Sequence, residues 1–192
     1  MAPSFAPDAL ELLCTKKNLR VLKVDMSKDN TVRKQYVSMN GGMLVQDRDI
    51  NTKPVSAEQC VTETKPTAEQ LADLEFAWKI VKHVKSNAIV VAKNGMTYGV
   101  GAGQMNRIGS AEIALKQAQA TLKEEGKDIM TEGLVLASDG FFPFNDCVAL
   151  AAEYGIKAIV QPGGSIRDED SVKLADEKGI TMLFTGERHF KH

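Results

Sequence analysis

Residues 134–184 read LVLASDGFFPFNDCVALAAEYGIKAIVQPGGSIRDEDSVKLADEKGITMLF. In this stretch short apolar runs alternate with segments of helical periodicity, and loops rich in glycine and proline separate them. Strands that alternate with helices at this interval indicate βαβ units, so we expect a mostly parallel sheet covered on both faces. The predicted elements are strand 134–137, helix 144–154, strand 158–160, helix 168–178 and strand 181–184.

A capped helix and a β-hairpin are predicted before residue 134. Thr67 opens the clearest helix, Thr67–Val84, because Thr67 and Gln70 complete an S/T-x-x-E/Q capping box. The dipeptide Asn94-Gly95 is typical of a two-residue hairpin turn. The other elements predicted here are strand 88–92, strand 96–100 and a helix over Met105–Glu125 that Gly126 ends.

The first 66 residues show weaker patterns. We interpret residues 48–66 as a connecting loop, because they are polar, contain two prolines and lack periodicity. The expected division is therefore 1–66 and 67–192. The elements predicted before the loop are a helix over Pro7–Lys17 with Leu10, Leu13 and Cys14 on one face, a strand over 19–24, and an extended stretch over 36–45 with a bend or bulge at Gly41-Gly42.

Composition excludes several classes of function. The 192 residues are 43% hydrophobic and 26% charged, with a net charge of −1, which suits one to one and a half domains. A net charge this close to zero does not indicate the basic surface with which proteins bind nucleic acid or an acidic membrane. No apolar run approaches the roughly 18 residues of a membrane span, and the start lacks the regions of a secretory signal. We therefore expect a cytoplasmic chain with no nucleic-acid or membrane partner.

Two loops, 137–146 and 161–168, directly follow predicted strands. They combine glycine and proline with aromatic, carboxylate and hydroxyl side chains. Ligands of open α/β sheets bind outside the carboxyl ends of strands. The loops therefore predict a small-molecule site.

The cysteines do not indicate a metal site. Cys14, Cys60 and Cys147 are odd in number and far apart, so neither a disulfide framework nor a CxxC pair can be drawn. With the three histidines they could in principle hold zinc, but no spacing matches a known zinc site. We interpret them as structural or incidental thiols.

Gly99-Val100-Gly101-Ala102-Gly103 lies between a predicted strand and a predicted helix. It fails the dinucleotide fingerprint G-x-G-x-x-G, because position 104 is Gln104. Two interpretations stay open. The turn lets an anion approach the helix N-terminus, with Arg107 adding charge, or the glycines serve only a tight strand-to-helix turn.

Five motifs in order carry a family resemblance. They are KSNAIVVAKNG (85–95), residues 99–108, SDGFFPF (138–144), residues 161–167 and RHFKH (188–192), preceded by APSFAPDAL (2–10). Together they resemble the C-terminal half of AICAR transformylase over essentially the whole chain. The resemblance implies a cytidine-deaminase-like subdomain with three α/β/α layers. The deaminase zinc motifs H-x-E and P-C-x-x-C are not found in the sequence.

The resemblance also implies an activity. AICAR transformylase formylates the amine of aminoimidazole carboxamide ribonucleotide (AICAR) from 10-formyltetrahydrofolate, in purine (IMP) biosynthesis. The family enzyme is usually fused to IMP cyclohydrolase and works as a homodimer. Its catalytic Lys-His pair lies in the first subdomain, before the part that this chain resembles. We therefore expect half of an active site, with the other subdomain in cis or in trans, and interpret Lys82-His83 as an ordinary surface position.

By matching motif positions, the residues implied to contact the nucleotide are Asn87, Arg107, Phe141 and Arg188. Guanidinium groups can bind a phosphate, an amide can bind the carboxamide, and an aromatic ring can pack on the imidazole. Without the resemblance, Arg107 and Arg188 would be interpreted as surface charges.

The residues implied to lie on the folate side are Ile108, Asp146, Ser165 and Ile166. A carboxylate can accept bonds from adjacent pterin N–H groups. From spacing alone, Asp146 can equally be interpreted as a carboxylate that stabilises a helix N-terminus, and Ser165 as a helix cap, with no role in folate binding. Some family members hold potassium near loops that match Ser86, Asp139 and the C-terminus. Whether this chain binds potassium stays open.

Two other functions stay open at this point. One is a non-catalytic nucleotide- or folate-binding module, and the other is a deaminase-like structural domain without a ligand. An upstream segment that carries the Lys-His pair would favour the enzyme over both.

Overall fold

The structure is a computed structural model that describes residues 1–25, 34–50 and 53–191. The chain divides into two compact units, residues 1–50 and residues 51–192. The division lies inside the polar stretch 48–66, and the rest of that stretch belongs to the second unit. In the described part of the chain, no helix combines the length and the apolar character needed to cross a membrane.

In its described residues, 1–25 and 34–50, the first unit contains one helix and one β-hairpin. Its elements are α1 (Pro7–Cys14), β1 (Lys34–Met39) and β2 (Gly42–Asp47). β1 and β2 pair antiparallel, so the chain reverses fully where we expected a bend or bulge in one extended stretch. Gly41 in the turn has a φ of +79°, a conformation that glycine adopts without steric cost.

In the first unit, the prediction of a strand over 19–24 was wrong and the prediction of a helix was confirmed. The strand over 19–24 is reduced to an isolated bridge between Ala2 and Lys23. The predicted helix is present and ends at Cys14, three residues before Lys17. None of its residues is buried, so its apolar face contributes to no core. An apolar pattern marks a surface that can pack, but only a partner surface makes it pack.

The second unit is a five-stranded sheet with helices on both faces. The strand order is β4-β3-β5-β6-β7. All elements predicted within 67–192 are confirmed to within three residues, while α4 and a single 3-10 turn were not predicted. The elements are α2 (Ala68–Val81), β3 (Ile89–Lys93), β4 (Met96–Gly101), α3 (Arg107–Glu124), α4 (Ile129–Glu132), β5 (Val135–Ser138), α5 (Asp146–Glu153), β6 (Ala158–Gln161), α6 (Asp168–Lys178), β7 (Thr181–Phe184) and the 3-10 turn Ala57–Gln59.

The sheet is mixed, because β3 runs opposite to the other four strands, which share one direction. β5, β6 and β7 run parallel, as the βαβ pattern predicted. β3 runs antiparallel to both of its neighbours, β4 and β5. The Asn94-Gly95 turn dictates the first of these pairings, with φ of 51° and 67° at its two residues. The α/β fold with a hairpin is therefore confirmed, and the direction of β3 is the difference.

Two buried cores lie on the two faces of this sheet. In β5, Leu136 points into the core beneath α3, α5 and α6, while Val135 and Ala137 point into the core beneath α2. Because both faces are buried, the strands are apolar at consecutive positions. The unit is thus a three-layer α/β/α arrangement.

Close packing explains the glycine run between β4 and α3. A side chain at Gly99 would overlap the backbone at Ala114, and one at Gly101 would overlap the backbone at Ser110. Gly103 lies in the following turn with a φ of +65°. These contacts favour the second interpretation of the run, in which the glycines serve strand-to-helix packing.

Residues 53–66 are tied to the second unit although they lack periodicity. Val55 is buried in the core beneath α2. The Val61 N–H donates to the Met182 carbonyl at 2.9 Å, and the Met182 N–H donates to the Thr62 hydroxyl at 2.9 Å. These bonds satisfy the free edge of β7, which is why the stretch belongs to this unit.

Candidate functional site

A pocket of about 400 Å³ opens where the loop after β5 meets the start of α3. Because β3 is antiparallel to β5, the beginning of β3 lies beside the end of β5, so their loops meet at one edge of the sheet. The strands thereby gather side chains that are far apart in sequence. The pocket is lined by Asn87, Met105, Asn106, Arg107, Gly140, Phe141, Pro143 and Phe190.

Arg107 is a buried cation at the start of α3, with only 8% of its surface exposed. Asn106 caps this helix with its side chain. The Arg107 guanidinium donates through Nη1 to the Asp139 carboxylate and, at 2.9 Å, to the Ser138 hydroxyl. Nη2 donates to the Asn87 amide oxygen at 2.9 Å. A guanidinium has five N–H donors, so these three bonds leave donors for a ligand.

Asp139 is fully buried and uses both carboxylate oxygens. Oδ1 accepts from Arg107 and, at 3.1 Å, from the Ala88 N–H, while Oδ2 accepts from the Ser86 hydroxyl. A buried carboxylate is tolerated only when it is paired and hydrogen-bonded in this way. Asp139 therefore fixes Arg107 and joins the end of β5 to the segment before β3.

Asn87 keeps spare hydrogen-bonding capacity. Its Nδ2 donates to the Gln104 carbonyl at 2.9 Å, and its Oδ1 accepts from Arg107 at 2.9 Å. An amide has two N–H donors and two acceptor lone pairs, so one of each is left for a ligand. This arrangement suits recognition of another amide.

Phe141 and Arg188 form a stacked pair beside the pocket. The Arg188 guanidinium carbon lies 4.6 Å from the centre of the Phe141 ring, within cation–π range. Gly140, the residue before Phe141, is required for space, because a Cβ there would overlap Arg107 Nη2. The four residues implied to contact the nucleotide thus lie in one neighbourhood, and their roles stay predictions.

The residues implied to contact folate do not line this pocket. Ile108 follows Arg107 on α3 and packs partly against the core. Asp146 begins α5, and its Oδ1 accepts from the Cys147 N–H at 2.8 Å. Burial, aided by Asp146 and opposed by Arg107, raises the pKa of Cys147 to about 12. The thiol is therefore protonated at neutral pH and offers no nucleophile.

Ser165 and Ile166 lie in the loop before α6. The Ser165 hydroxyl accepts from the Arg167 N–H at 3.1 Å, and Ile166 is fully exposed. The Arg167 guanidinium lies 5.4 Å from the centre of the Phe144 ring. This contact joins the loop after β6, which holds Ser165 and Ile166, to the loop after β5, which leads to Asp146, whereas Ile108 lies on α3.

Ser86 links the pocket to the last described residues. Its N–H donates to the Lys191 carbonyl at 2.9 Å, and its hydroxyl accepts from the Lys191 N–H at 3.3 Å. Together with the Asp139 carboxylate, these groups bring oxygens from three separate segments close together. Of the motif at 188–192, residue 192 lies outside the described residues.

Sequence reasoning missed two features of the site. The Arg107–Asp139 ion pair joins residues 32 apart, and no spacing rule connects them. Phe190 was quoted only as part of a motif, yet it lines the pocket. Apart from the family resemblance, the signal that pointed toward Asp139 was its position directly after a buried strand, where side chains meet at a sheet edge.

Other candidates do not belong to the pocket. Lys82-His83 follows α2, and neither residue is among those lining the pocket. Within residues 1–25, 34–50 and 53–191, no group of three or more His, Cys, Asp and Glu side chains is arranged to hold a metal ion.

Comparison with solved structures gives weak overall similarity to deaminases. A deaminase/reductase acting on phosphoribosylaminopyrimidines from Thermotoga maritima is 22% identical, with a TM-score of 0.36 over 59% of this chain and 34% of its own. The dCMP deaminase of cyanophage S-TIM5 is 18% identical, with a TM-score of 0.36 over 58% of this chain and 90% of its own.

Comparison of sequences gives a much closer relationship. The bifunctional purine biosynthesis protein PurH of Anoxybacillus flavithermus is 56% identical over 192 residues, which is 100% of this chain and 36% of that protein. The PurH of Lactobacillus delbrueckii subsp. bulgaricus is 56% identical over 194 residues, with the same shares covered. The chain thus spans about a third of the length of these relatives. The family model described as AICARFT/IMPCHase bienzyme matches residues 1–117. The chain therefore belongs to the AICARFT/IMPCHase bienzyme family.

Proposed function

We propose that this chain supplies half of the active site that transfers a formyl group from 10-formyltetrahydrofolate to the amine of AICAR in purine biosynthesis. The observation that carries the proposal is the pocket itself. Three of the four residues implied to contact the nucleotide, Asn87, Arg107 and Phe141, line it. The fourth, Arg188, stacks on Phe141. We propose that this activity takes place in the cytoplasm.

The polar groups of the pocket match the parts of such a nucleotide. The free N–H and lone pair of Asn87 can bind the carboxamide. Arg107 keeps unused N–H donors, and Arg188 can turn the edge of its guanidinium to a phosphate while its face stays on Phe141. The aromatic rings of Phe141 and Phe190 offer apolar surface for the imidazole.

The folate is assigned to the neighbouring surface made by the loops after β5 and β6. Asp146 would accept from the pterin N–H groups, and Ser165 and Ile166 would border the ring system. A formyl carbon held there must reach the amine held in the pocket, since transfer needs the reacting atoms within roughly 3–3.5 Å. The proposal therefore requires the two ligands to meet between Phe141 and Asp146.

The chain is expected to lack the base that the reaction needs. None of the eight residues lining the pocket is a histidine, lysine or carboxylate. We propose that the Lys-His pair of the other subdomain, in cis or in trans, completes the site, and that the assembled enzyme is a homodimer. Removal of a positioned base costs a factor of about 10²–10⁴ in rate, so the chain alone should bind far better than it turns over.

Potassium would fit the oxygens around Ser86. The hydroxyl of Ser86, the Asp139 carboxylate and the Lys191 carbonyl lie on three segments that meet there. An alkali cation would add positive charge that holds these oxygens together. We expect the cation to make the three segments more rigid and to have no direct contact with the reacting atoms.

A non-catalytic binding module is the second candidate. It is favoured by the same absence of a base among the lining residues. Both candidates predict nucleotide binding, and only the enzyme predicts formyl transfer once the missing subdomain is added.

The first test is calorimetric titration of the chain with AICAR. We expect micromolar binding that weakens at least about 10-fold in both Arg107→Ala and Arg188→Ala, because each loses charge-assisted bonds. Arg20→Ala, which removes an exposed arginine of the first unit, should bind as the unsubstituted chain does. Binding that survives both pocket substitutions would contradict the nucleotide assignment.

Arg107 is buried, so its loss can also disturb folding. Arg107→Lys keeps the charge but cannot make the forked bonds, and it should still weaken binding. Thermal unfolding of each variant separates lost affinity from lost structure. Formyl transfer is then measured after adding the rest of the transformylase domain. Transfer that appears only with both parts supports the enzyme, and its absence with both parts favours the binding module.

A further inference from the structure

The segment Thr185–Lys191, here called the strap, carries two residues of the candidate site but has no regular secondary structure. Phe190 lines the pocket, and Arg188 stacks on Phe141. Irregular segments at the surface hold side chains in place only when they are themselves tied down. The contacts that fix the strap therefore decide the geometry of these two residues.

Main-chain hydrogen bonds hold the strap at three points. At its start, the Thr185 N–H donates to the carbonyl of Gln161 at the end of β6, at 3.0 Å, and the Gly186 N–H donates to the carbonyl of Pro162, at 2.9 Å. In the middle, the His189 N–H donates to the Asp139 carbonyl at 3.0 Å. At its end, Lys191 exchanges bonds with Ser86.

His189 is the one described residue of the strap whose side chain is buried. It is 3% exposed, whereas Arg188 and Phe190 on either side are exposed. Successive side chains of this extended segment therefore alternate between the protein interior and the surface. The His189 ring meets the ring of Trp78, with centroids 4.6 Å apart and planes tilted by 52°. Such a tilted aromatic contact adds to the gain from burial.

Trp78 is well suited to act as the anchor. It lies on α2, it is 4% exposed, and it is part of the core beneath that helix. The capping box of Thr67 and Gln70 fixes the start of the helix. Its neighbours Leu74 and Val81 are fully buried. The strap thus docks on a rigid element on the opposite side of the sheet from α3.

We propose that the contact between Trp78 and His189 positions the candidate site, because it holds the strap so that Arg188 and Phe190 stay at the pocket. Neither Trp78 nor His189 is expected to touch the nucleotide. Their effect on ligand binding rests on the proposed function, whereas their effect on the strap does not.

Hydrogen–deuterium exchange on the whole chain tests the part that is independent of ligand. In His189→Ala we expect the amides of residues 189 and 191 to exchange at least about 10-fold faster, because they donate to Asp139 and Ser86 only while the strap is docked. His189→Phe keeps a ring against Trp78 and should keep slow exchange. Glu124→Ala, which removes an exposed side chain at the end of α3, is the control and should change nothing.

Fluorescence gives a second measure, since Trp78 is the only tryptophan of the chain. Quenching of Trp78 by acrylamide should increase in His189→Ala and stay low in His189→Phe. Far-ultraviolet circular dichroism of the same samples shows whether the fold is kept. Slow exchange and unchanged quenching in a folded His189→Ala chain would overturn the proposal.

The link to the site is tested by titration with AICAR. We expect His189→Ala to bind about 10-fold more weakly and His189→Phe to recover most of the affinity. Equal affinity in His189→Ala, with exchange showing an undocked strap, would mean that the strap does not position the site. If the unsubstituted chain does not bind AICAR, the proposed function fails, and the exchange result still decides whether the contact holds the strap.

Discussion

The two compact units of this chain carry similar apolar patterns and use them in opposite ways. In residues 53–191 the strands and helices bury two cores on the two faces of one sheet. In residues 1–50 none of the described residues is buried. The hairpin side chains Tyr36, Leu44 and Val45 are 59%, 58% and 55% exposed.

The contrast shows that secondary structure and stability are separate properties. The first unit has a helix and a well-paired hairpin, yet a two-stranded sheet alone is at best marginally stable in water. The second unit gains its stability from apolar surface removed from water on both sides of the sheet. The same substitution should therefore have different effects in the two units.

The largest expected difference comes from truncating a leucine in each unit. Leu136→Ala in β5 should lower the free energy of unfolding by about 4 kcal/mol, because it leaves a cavity in a fully buried core. Leu44→Ala in β2, where the side chain is largely exposed, should change it by less than about 0.5 kcal/mol. Denaturant unfolding followed by circular dichroism gives both values, and equal losses would break the comparison.

Adding a methyl group to a glycine sharpens the comparison further. Gly101→Ala should cost about 3 kcal/mol, because the new Cβ overlaps the α3 backbone at Ser110. Gly42→Ala in β2 meets nothing within 4 Å and should be neutral or slightly stabilising. Thermal unfolding of the two variants tests this, and a stable Gly101→Ala chain would contradict the close approach of β4 and α3.

A smaller effect is expected at the start of α2. Thr67→Ala removes the hydroxyl that accepts from the Gln70 N–H at 3.1 Å and should cost about 1 kcal/mol. Thr67→Ser keeps the hydroxyl and should cost little. At the start of α1, Ala6 has no side-chain acceptor, so Ala6→Ser can add a cap bond. Because none of the residues of α1 is buried, the helical signal should rise only slightly. A Thr67→Ala chain as stable as Thr67→Ser would show that the cap is unimportant in a buried helix.

The cysteines of the two units should differ strongly in their reactivity toward alkylating reagents. Iodoacetamide should modify the exposed Cys14 and leave Cys147, which is 1% exposed, unmodified in the folded chain. Mass spectrometry of the peptides checks this. Rapid modification of Cys147 would contradict its burial.

Cys147 also has a pH signature. Its pKa is raised from 9.0 to about 12, so the folded chain holds this proton more tightly than the unfolded chain does. Its contribution to stability is complete below about pH 9 and is lost as the pH rises toward 12. Cys147→Ala should show a shallower alkaline loss of stability, while Cys14→Ala should follow the unsubstituted chain. Parallel curves for all three would contradict the raised pKa.

Local features of the second unit could be predicted because their causes are local. The capping box of Thr67 and Gln70 is present, and so is the turn at Asn94-Gly95. Each depends on residues a few positions apart, which a sequence displays directly. The hairpin at Gly41 was harder to predict from the sequence, because glycine is typical of both a β-bulge and a hairpin turn.

The site was predictable only through the family resemblance. Asn87, Arg107 and Phe141 were assigned by motif and line one pocket. The physical reason they meet is the antiparallel pairing of β3 with β5, which no periodicity reveals. The buried pair of Arg107 and Asp139 depends on the same pairing, so spacing alone left Arg107 as a surface charge.

The sequence by itself determined the strands, the hairpin turn, the apolar faces and the helices other than α4 of the second unit, because these follow from neighbouring residues and their periodicity. Tertiary structure decided the direction of β3 and the burial of Arg107 against Asp139. It also decided that the strap docks on Trp78 and that α1 and the first hairpin bury none of their residues. These outcomes depend on which distant surfaces meet, and the free energy of burial is realised only when they do.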